Sequence, residues 1–245
     1  MFVLSLLPVA LLLWFVYKCD YKPEPFNEVM RGLYYGALSI VVTFVIDAIV
    51  LLFVGDEFME TPTPLHQLFR AFVGAAIPEE CSKLLMLSLL LRKNKYFDEH
   101  IDGIVYAACV GLGFAGVENY LYVSDSDDWL GVALQRSVTA VPCHFLTAVA
   151  MGYFYSLYRF DEGEKNKWGV LMIAVPILFH GVYDALLMIS SVVGEFVSVV
   201  MLLVFIWWLN GMRKFAKEKI ADANRLDGFG TKGDSAGGQG SNNRT

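Results

Sequence analysis

The stretch A-A-I-P-E-E-C-S-K-L-L-M-L-S-L-L-L, residues 75–91, reads as membrane-spanning sequence except for Glu79, Glu80 and Lys83 in its middle. A charged side chain at the centre of a bilayer costs at least ~2.5–3.5 kcal/mol on insertion scales, so such groups face a bundle interior or a cavity and mark function. How the three charges are read depends on whether the rest of the chain is a membrane bundle. Of its 245 residues, 56% are hydrophobic and 18% charged, and the mean hydropathy is +0.50. The apolar residues are grouped, in runs at about 1–17, 33–54, 68–91, 101–123, 131–158, 169–190 and 195–211. A spanning helix takes roughly 17–25 residues. Spanning barrels need shorter strands of alternating polarity, whereas these runs are continuously apolar. The expectation is an all-α polytopic bundle of about seven transmembrane helices, or six if Gly194 only breaks one long hairpin.

Lys and Arg set the orientation, because cytoplasmic loops retain positive charge. Lys18, Lys22 and Arg31 follow the first run, Arg92, Lys93 and Lys95 the third, Arg159, Lys165 and Lys167 the fifth, and Arg213, Lys214, Lys217 and Lys219 the last. The loops between, 55–64 and 124–129, contain no Lys or Arg; Arg70 and Arg136 lie just inside the next runs. This places the N-terminus outside and the C-terminus in the cytoplasm. The net charge of −6 is spread over loops and points to no nucleic-acid partner. Residues 1–17 lack a basic leader and a small-x-small cleavage site, so they read as an uncleaved helix rather than a signal peptide. Cys81, Cys109 and Cys143 lie in apolar runs and Cys19 in an expected cytoplasmic loop, which argues against a disulfide framework. The membrane domain is expected over 1–221. Residues 222–245, rich in Gly, Ser and Asn, are expected to form a disordered cytoplasmic tail.

Further ionisable residues lie in the runs: Asp47, Glu118, His144, His180 and Asp184. Glu80, Glu118, His144, His180 and Asp184 fall 11, 17, 14, 12 and 16 residues from the expected cytoplasmic ends at Leu91, Ile101, Tyr158 and Trp168. At a rise of ~1.5 Å per residue these depths are about 17–26 Å in a core about 30 Å thick. Four runs therefore deliver carboxylates and imidazoles to one layer slightly outside the midplane. Small residues recur every four positions at Ala107, Gly111 and Ala115, and at Ala140, Ala148 and Gly152 around His144, which permits close helix packing beside the polar groups. His180 and Asp184 share a helix face. Glu79 and Glu80 are about 100° apart, with Lys83 reachable from either. One glutamate is then paired with Lys83 and the other left for chemistry, and the sequence does not decide which. Pro78, Pro142 and Pro176 precede Glu79, His144 and His180 by one, two and four residues, and are expected to kink those helices and widen a water-admitting cavity.

Two histidines and several carboxylates in one layer can bind a divalent ion with an open position for water. Equally, a glutamate can act as general base while His or a second acid stabilises the oxyanion, without a metal. A third reading is a proton- or cation-coupled transporter using the same groups as a relay. Asp98 and Asp102 are expected to cap or solvate a helix end, Asp47 reads as a polar contact, and His66 and His100 lie near water.

E-E-C-S-K (79–83), F-A-G-V-E (114–118), His144 and H-G-V-Y-D (180–184), in this order on successive runs, resemble the PrsW family of bacterial intramembrane proteases, a relative of the CAAX prenyl endopeptidases and the CPBP/Abi group. D-G-I-V-Y-A-A-C-V-G-L-G-F-A-G-V-E-N (102–119) is similar as well. The resemblance spans about 78–184 and implies a catalytic core at about 68–190. It implies that Glu79 and Glu80 include the water-activating base, with Glu118, His144, His180 and Asp184 completing the site and Lys83 and Phe114 supporting it. It also implies site-1 cleavage of a single-pass anti-sigma factor in the bacterial plasma membrane. The cofactor stays open: a divalent metal such as zinc is compatible, with Glu80, Glu118, His144 and His180 as its candidate ligands. Glu118 stands where the CAAX enzymes have His, Lys83 replaces a later Arg, and there is no H-E-x-x-H motif.

Overall fold

The computed structural model describes residues 2–55, 58 and 61–229, and among them every regular element is helical. In chain order these are α1 (Phe2–Cys19), α2 (Phe26–Val54), α3 (Pro64–Ala71), a π-helical turn (Phe72–Ala76), α4 (Ile77–Leu91), α5 (His100–Ser124), α6 (Trp129–Val138), α7 (Ala140–Phe160), α8 (Lys165–Ser190) and α9 (Glu195–Leu226). Among the described residues five helical stretches are long and apolar enough to cross a membrane: α2, α5, α6 with α7, α8 and α9; α1 is a shorter apolar helix. The run at 68–91 is not one helix. It passes from α3 through the π-turn into α4, and its four charges, Arg70, Glu79, Glu80 and Lys83, lower its apolar character.

At the centre lies α5, packed between α7 and α2, with α1 on a further side; α8 covers α7, and α4 lies against α2. The apolar stretches of α5 and of α6–α7 are 83% and 78% buried inside the bundle, against 17% for α2 and 11% for α9, so the inner pair forms the core and the others face outward. Lipid tails are as apolar as leucine, so close packing rather than apolar burial holds helices together here. Glycine makes that packing possible. A Cβ at Gly36 of α2 would lie 2.0 Å from the Val110 carbonyl oxygen of α5, and one at Gly111 of α5 would lie 2.6 Å from Ala148 Cβ of α7. The small-residue stripes read from the sequence are the α5–α7 seam.

The prolines break helices more than they kink them. Pro78 sits in the first turn of α4, just after the π-turn, and Pro142 in the first turn of α7, after a break at Thr139. Of these three, only Pro176 lies inside a continuous helix, α8.

The expected tail also starts later than position 222. α9 continues to Leu226, the Asn224 side chain donates to the Cys19 carbonyl at 3.2 Å, and Phe229 stacks on Tyr21. Asp227 accepts from the His100 and Ile101 amides at 2.7 and 2.9 Å, satisfying free donors at the start of α5. The capping box of Glu99 and Asp102 satisfies the Asp102 and Glu99 amides. Residues 230–245 of the expected tail lie outside the described residues. All four cysteines are free.

Two outcomes follow. Gly36→Val should push α2 off α5 and cost about 1–3 kcal/mol, as overpacking does, while Gly211→Ala, whose Cβ meets nothing within 4 Å, should be neutral; thermal unfolding in detergent compares them. In the loop between α1 and α2, burial pushes the Glu24 carboxyl up to about 7, against the lowering hydrogen bonds of Tyr106 and Asp102. The folded state then binds more protons than the unfolded chain above the ordinary value of 4.5, so this group's stabilisation is present at low pH and lost as pH rises to about 7. Glu24→Gln should flatten that part of the stability–pH curve, and an unchanged slope would contradict it.

Candidate active site

Four helices carry the polar layer, and a fifth fastens it. From the first turns of α4, Glu79 and Glu80 point to different sides. Glu80 is fully buried; its Oε1 accepts from Lys83 Nζ at 3.0 Å, from His180 Nδ1 at 2.9 Å and from the Thr147 hydroxyl at 3.4 Å. Glu79 Oε2 accepts from Lys83 Nζ at 3.1 Å and lies 3.9 and 3.8 Å from ring nitrogens of His144 and His180. Lys83 bridges both glutamates instead of neutralising one. Its third contact is His144 Nδ1 at 3.0 Å, and the ammonium lies 4.0 Å from the centre of the Phe114 ring. From α5, Glu118 Oε2 meets His144 Nε2 at 2.8 Å. From α8, Asp184 lies 3.3 Å from His180 Nε2. The two imidazoles stand edge to face at 5.1 Å. All six candidate site residues, with Lys83 and Phe114, therefore belong to one connected cluster.

Local structure explains the convergence. The π-turn at 72–76 rotates α4 relative to α3, and π-turns inside helices recur at functional sites. Gly181, next to His180, leaves room for the Phe72 ring, since a Cβ there would lie 2.3 Å from it. The Ser82 hydroxyl donates to the Glu79 carbonyl and meets the Thr43 hydroxyl at 2.6 Å, tying α4 to α2.

A cleft of about 770 Å³ reaches the cluster from one side. Its walls include Asp47, Arg70, Glu79, Phe114, Glu118 and Tyr122, but neither Glu80 nor Lys83. The cluster thus has a cleft side and a protein side. Asp47 lies on the cleft wall, and its Oδ1 is buried without a hydrogen-bond partner.

Arg136, read from the sequence only as a residue near a helix start, is part of the network. Its Nη2 donates to Glu118 Oε2 at 2.5 Å, its Nε donates to Asn119 Oδ1 at 3.0 Å, and the guanidinium lies 4.0 Å from the Tyr122 ring centre. Asn119 donates in turn to the Ser5 carbonyl of α1. An arginine within an apolar run was the signal available for this role.

The atoms that converge closely enough to ligate one ion belong to Glu79, Glu80, His144 and His180, all within 4.8 Å of one another. This corrects the expected set. Glu118 is not in it, because its oxygen lies beyond His144, held by Nε2 and Arg136; Glu79 takes its place. Two imidazoles and two carboxylates suit zinc chemically. Both imidazoles are engaged, however, while Glu80 Oε2 is buried without a hydrogen-bond partner. Three of the four residues already accept from Lys83 or flank it, and both nitrogens of His180 face carboxylate oxygens. Donor types fit a metal, and the engaged imidazoles do not.

The family model described as "PrsW family intramembrane metalloprotease" matches residues 24–209. Proteins named "Protease PrsW" are similar along most of their length. That of Bacillus subtilis (strain 168) is 34% identical over 86% of this chain and 91% of its own. Those of Clostridioides difficile (strain 630) and Halalkalibacterium halodurans are each 32% identical, over 86% and 89% of this chain and 88% and 94% of theirs. No solved structure gives a significant match.

Removing one member of a fully buried ion pair costs ~3–5 kcal/mol. Arg136 and Glu118 are each 15% exposed, so Arg136→Met should cost about 2–3 kcal/mol, with Arg136→Lys milder because charge remains while the fork to Asn119 is lost. Thermal unfolding of both variants measures this, and equal melting of all three proteins would exclude it.

Proposed function

The chain belongs to the PrsW family of intramembrane metalloproteases and is a peptidase, and on that premise we propose that Glu79 is the base that activates water for peptide-bond hydrolysis in a membrane-anchored substrate. One observation carries the assignment: of the two adjacent glutamates only Glu79 lines the cleft, while Glu80 is fully buried with three donors on one oxygen. Lys83 holds Glu79 Oε2 and leaves Oε1 for water. Glu79 takes a proton from that water as the water oxygen bonds to the scissile carbonyl carbon. The C–N bond then breaks, and the proton passes to the leaving amine. Glu80 fixes Lys83 and His180, while Glu118, held by Arg136, orients His144 through Nε2.

The same reading takes the membrane topology as seven spans, with α1 and the broken α3–α4 segment counted in, the N-terminus outside and the C-terminus cytoplasmic. The basic loops after α1, α4, α7 and along the end of α9 support it. In that orientation the cleft rim, with Leu51, Tyr122 and Asp125, lies towards the outer face. A substrate helix would be cut near its extracytoplasmic end. This suits site-1 cleavage of a single-pass anti-sigma factor in the bacterial plasma membrane, a substrate class supported by the motif resemblance, as is the kinship with the CAAX endopeptidases. The carrier reading gains nothing from the family assignment.

The test is cleavage of a single-pass substrate in proteoliposomes. The wild type should cut near the outer end. Glu79→Gln should lose about 10²–10⁴-fold in rate, the scale of general-base catalysis, with folded yield unchanged, whereas Glu80→Gln should lower thermal stability as well as rate. Cutting at the cytoplasmic end would overturn the orientation, and full activity in Glu79→Gln would overturn the base.

A further inference from the structure

The centre of the polar cluster is occupied by a protein atom. Lys83 Nζ has three N–H donors, and three acceptors surround it: Glu79 Oε2 at 3.1 Å, Glu80 Oε1 at 3.0 Å and His144 Nδ1 at 3.0 Å. The ammonium is saturated, it is 2% exposed, and the Phe114 ring lies 4.0 Å to one side. Hydrogen-bond chemistry then assigns the imidazoles. His144 accepts at Nδ1 from a group that can only donate, so its proton is on Nε2, where it meets Glu118. His180 bonds Glu80 through Nδ1 at 2.9 Å and has Asp184 3.3 Å from Nε2, so both nitrogens face carboxylates, an arrangement that suits an imidazolium with two donors and no lone pair. A metal ligand needs a free imidazole lone pair. His144 has given its lone pair to Lys83, and His180 has none to offer.

We propose that Lys83 is the resident cation of this site, occupying the position that a divalent ion would take between Glu79, Glu80 and His144, and that the wild-type chain holds no metal there. The same geometry makes Lys83 the gatekeeper. Its three acceptors already radiate from one point, and zinc at that point would need them to move in by roughly 0.9 Å to reach ligand distances of about 2.0–2.2 Å. Without the lysine side chain, two carboxylate oxygens and a freed imidazole nitrogen are left facing one another, a donor set suited to zinc or a similar borderline ion. Functionally, Lys83 is a positioning residue: it orients Glu79 and supplies fixed positive charge beside it without reaching the cleft. That functional side rests on the peptidase reading; the metal content does not.

The experiment measures bound metal by elemental analysis on purified full-length protein after incubation with zinc and removal of free ion. The wild type should retain less than about a tenth of an equivalent, and Lys83→Ala should retain close to one, lost again in Lys83→Ala/His144→Ala, since ligand removal abolishes a site. Lys83→Arg, which keeps the charge, should remain metal-free. About one tightly held equivalent in the wild type, lost in His144→Ala, would overturn the proposal. So would a folded Lys83→Ala protein that binds no zinc. Should Lys83→Ala fail to fold, the wild type decides: cleavage unchanged by a membrane-permeant chelator with no bound metal supports the proposal, and loss of cleavage restored by added zinc overturns it. Metal content is read whether or not any substrate is cut, so failure of this inference and failure of the peptidase reading give different results.

Discussion

The ammonium of Lys83 is the interaction on which the rest of the site depends. Inside a bundle a carboxylate without a partner is far more costly than a matched pair, and two adjacent glutamates would repel each other. Lys83 sits one turn after them, within 3.1 Å of both, and reaches across to His144 on another helix. One donor group thus meets one oxygen of each acid and fixes a tautomer, while Glu80 Oε2 stays buried without a hydrogen-bond partner. Every other polar contact extends from it: Glu80 to His180 and on to Asp184, His144 to Glu118 and on to Arg136.

Such a network demands that five helices approach closely, and the backbone is adapted to that demand. Gly36, Gly111 and Gly152 remove side chains where α2, α5 and α7 cross, so that polar groups bonded across the seam lie within hydrogen-bonding distance. The π-turn before α4 and the break before α7 alter direction at the points where Glu79 and His144 enter the layer. Helix breaks at membrane depth leave backbone groups unpaired, and they are tolerated only where protein or a water-filled cavity meets those groups. The cleft supplies such a setting beside the π-turn, with Gly74 and Ala75 in its wall.

Much of this was legible in the sequence, for identifiable reasons. Apolar runs and the rarity of buried charge reveal a helical bundle and its polar layer, because both follow from solvent physics that acts residue by residue. The equal depth of Glu80, His144 and His180 follows from a fixed rise per residue. What was hidden depends on direction rather than depth. Whether Lys83 serves one glutamate or both, and whether Glu118 or Glu79 joins the convergent quartet, turns on rotations of tens of degrees set by the π-turn. Arg136 looked like a residue at a span boundary because its partner Glu118 is 18 positions away on another helix. The C-terminal segment misled by composition: Asn224, Asp227 and Phe229 look like tail residues, yet each has a specific partner near the end of α1 or the start of α5.

Two neighbouring glutamates can nevertheless have different roles, and helix geometry explains why they are adjacent. Consecutive residues diverge by about 100°, so if one side chain enters the packed interior the next emerges beside it. Glu80 enters the α7–α8 side, where His180 and Thr147 saturate one oxygen, and Glu79 emerges at the cleft. A pair separated by three or four positions would share a face. On the proposed reading the two have separate tasks: the buried one holds the cationic and imidazole groups in place, and the one at the cleft meets the water. Adjacency in the sequence is the shortest way to place both at the same depth.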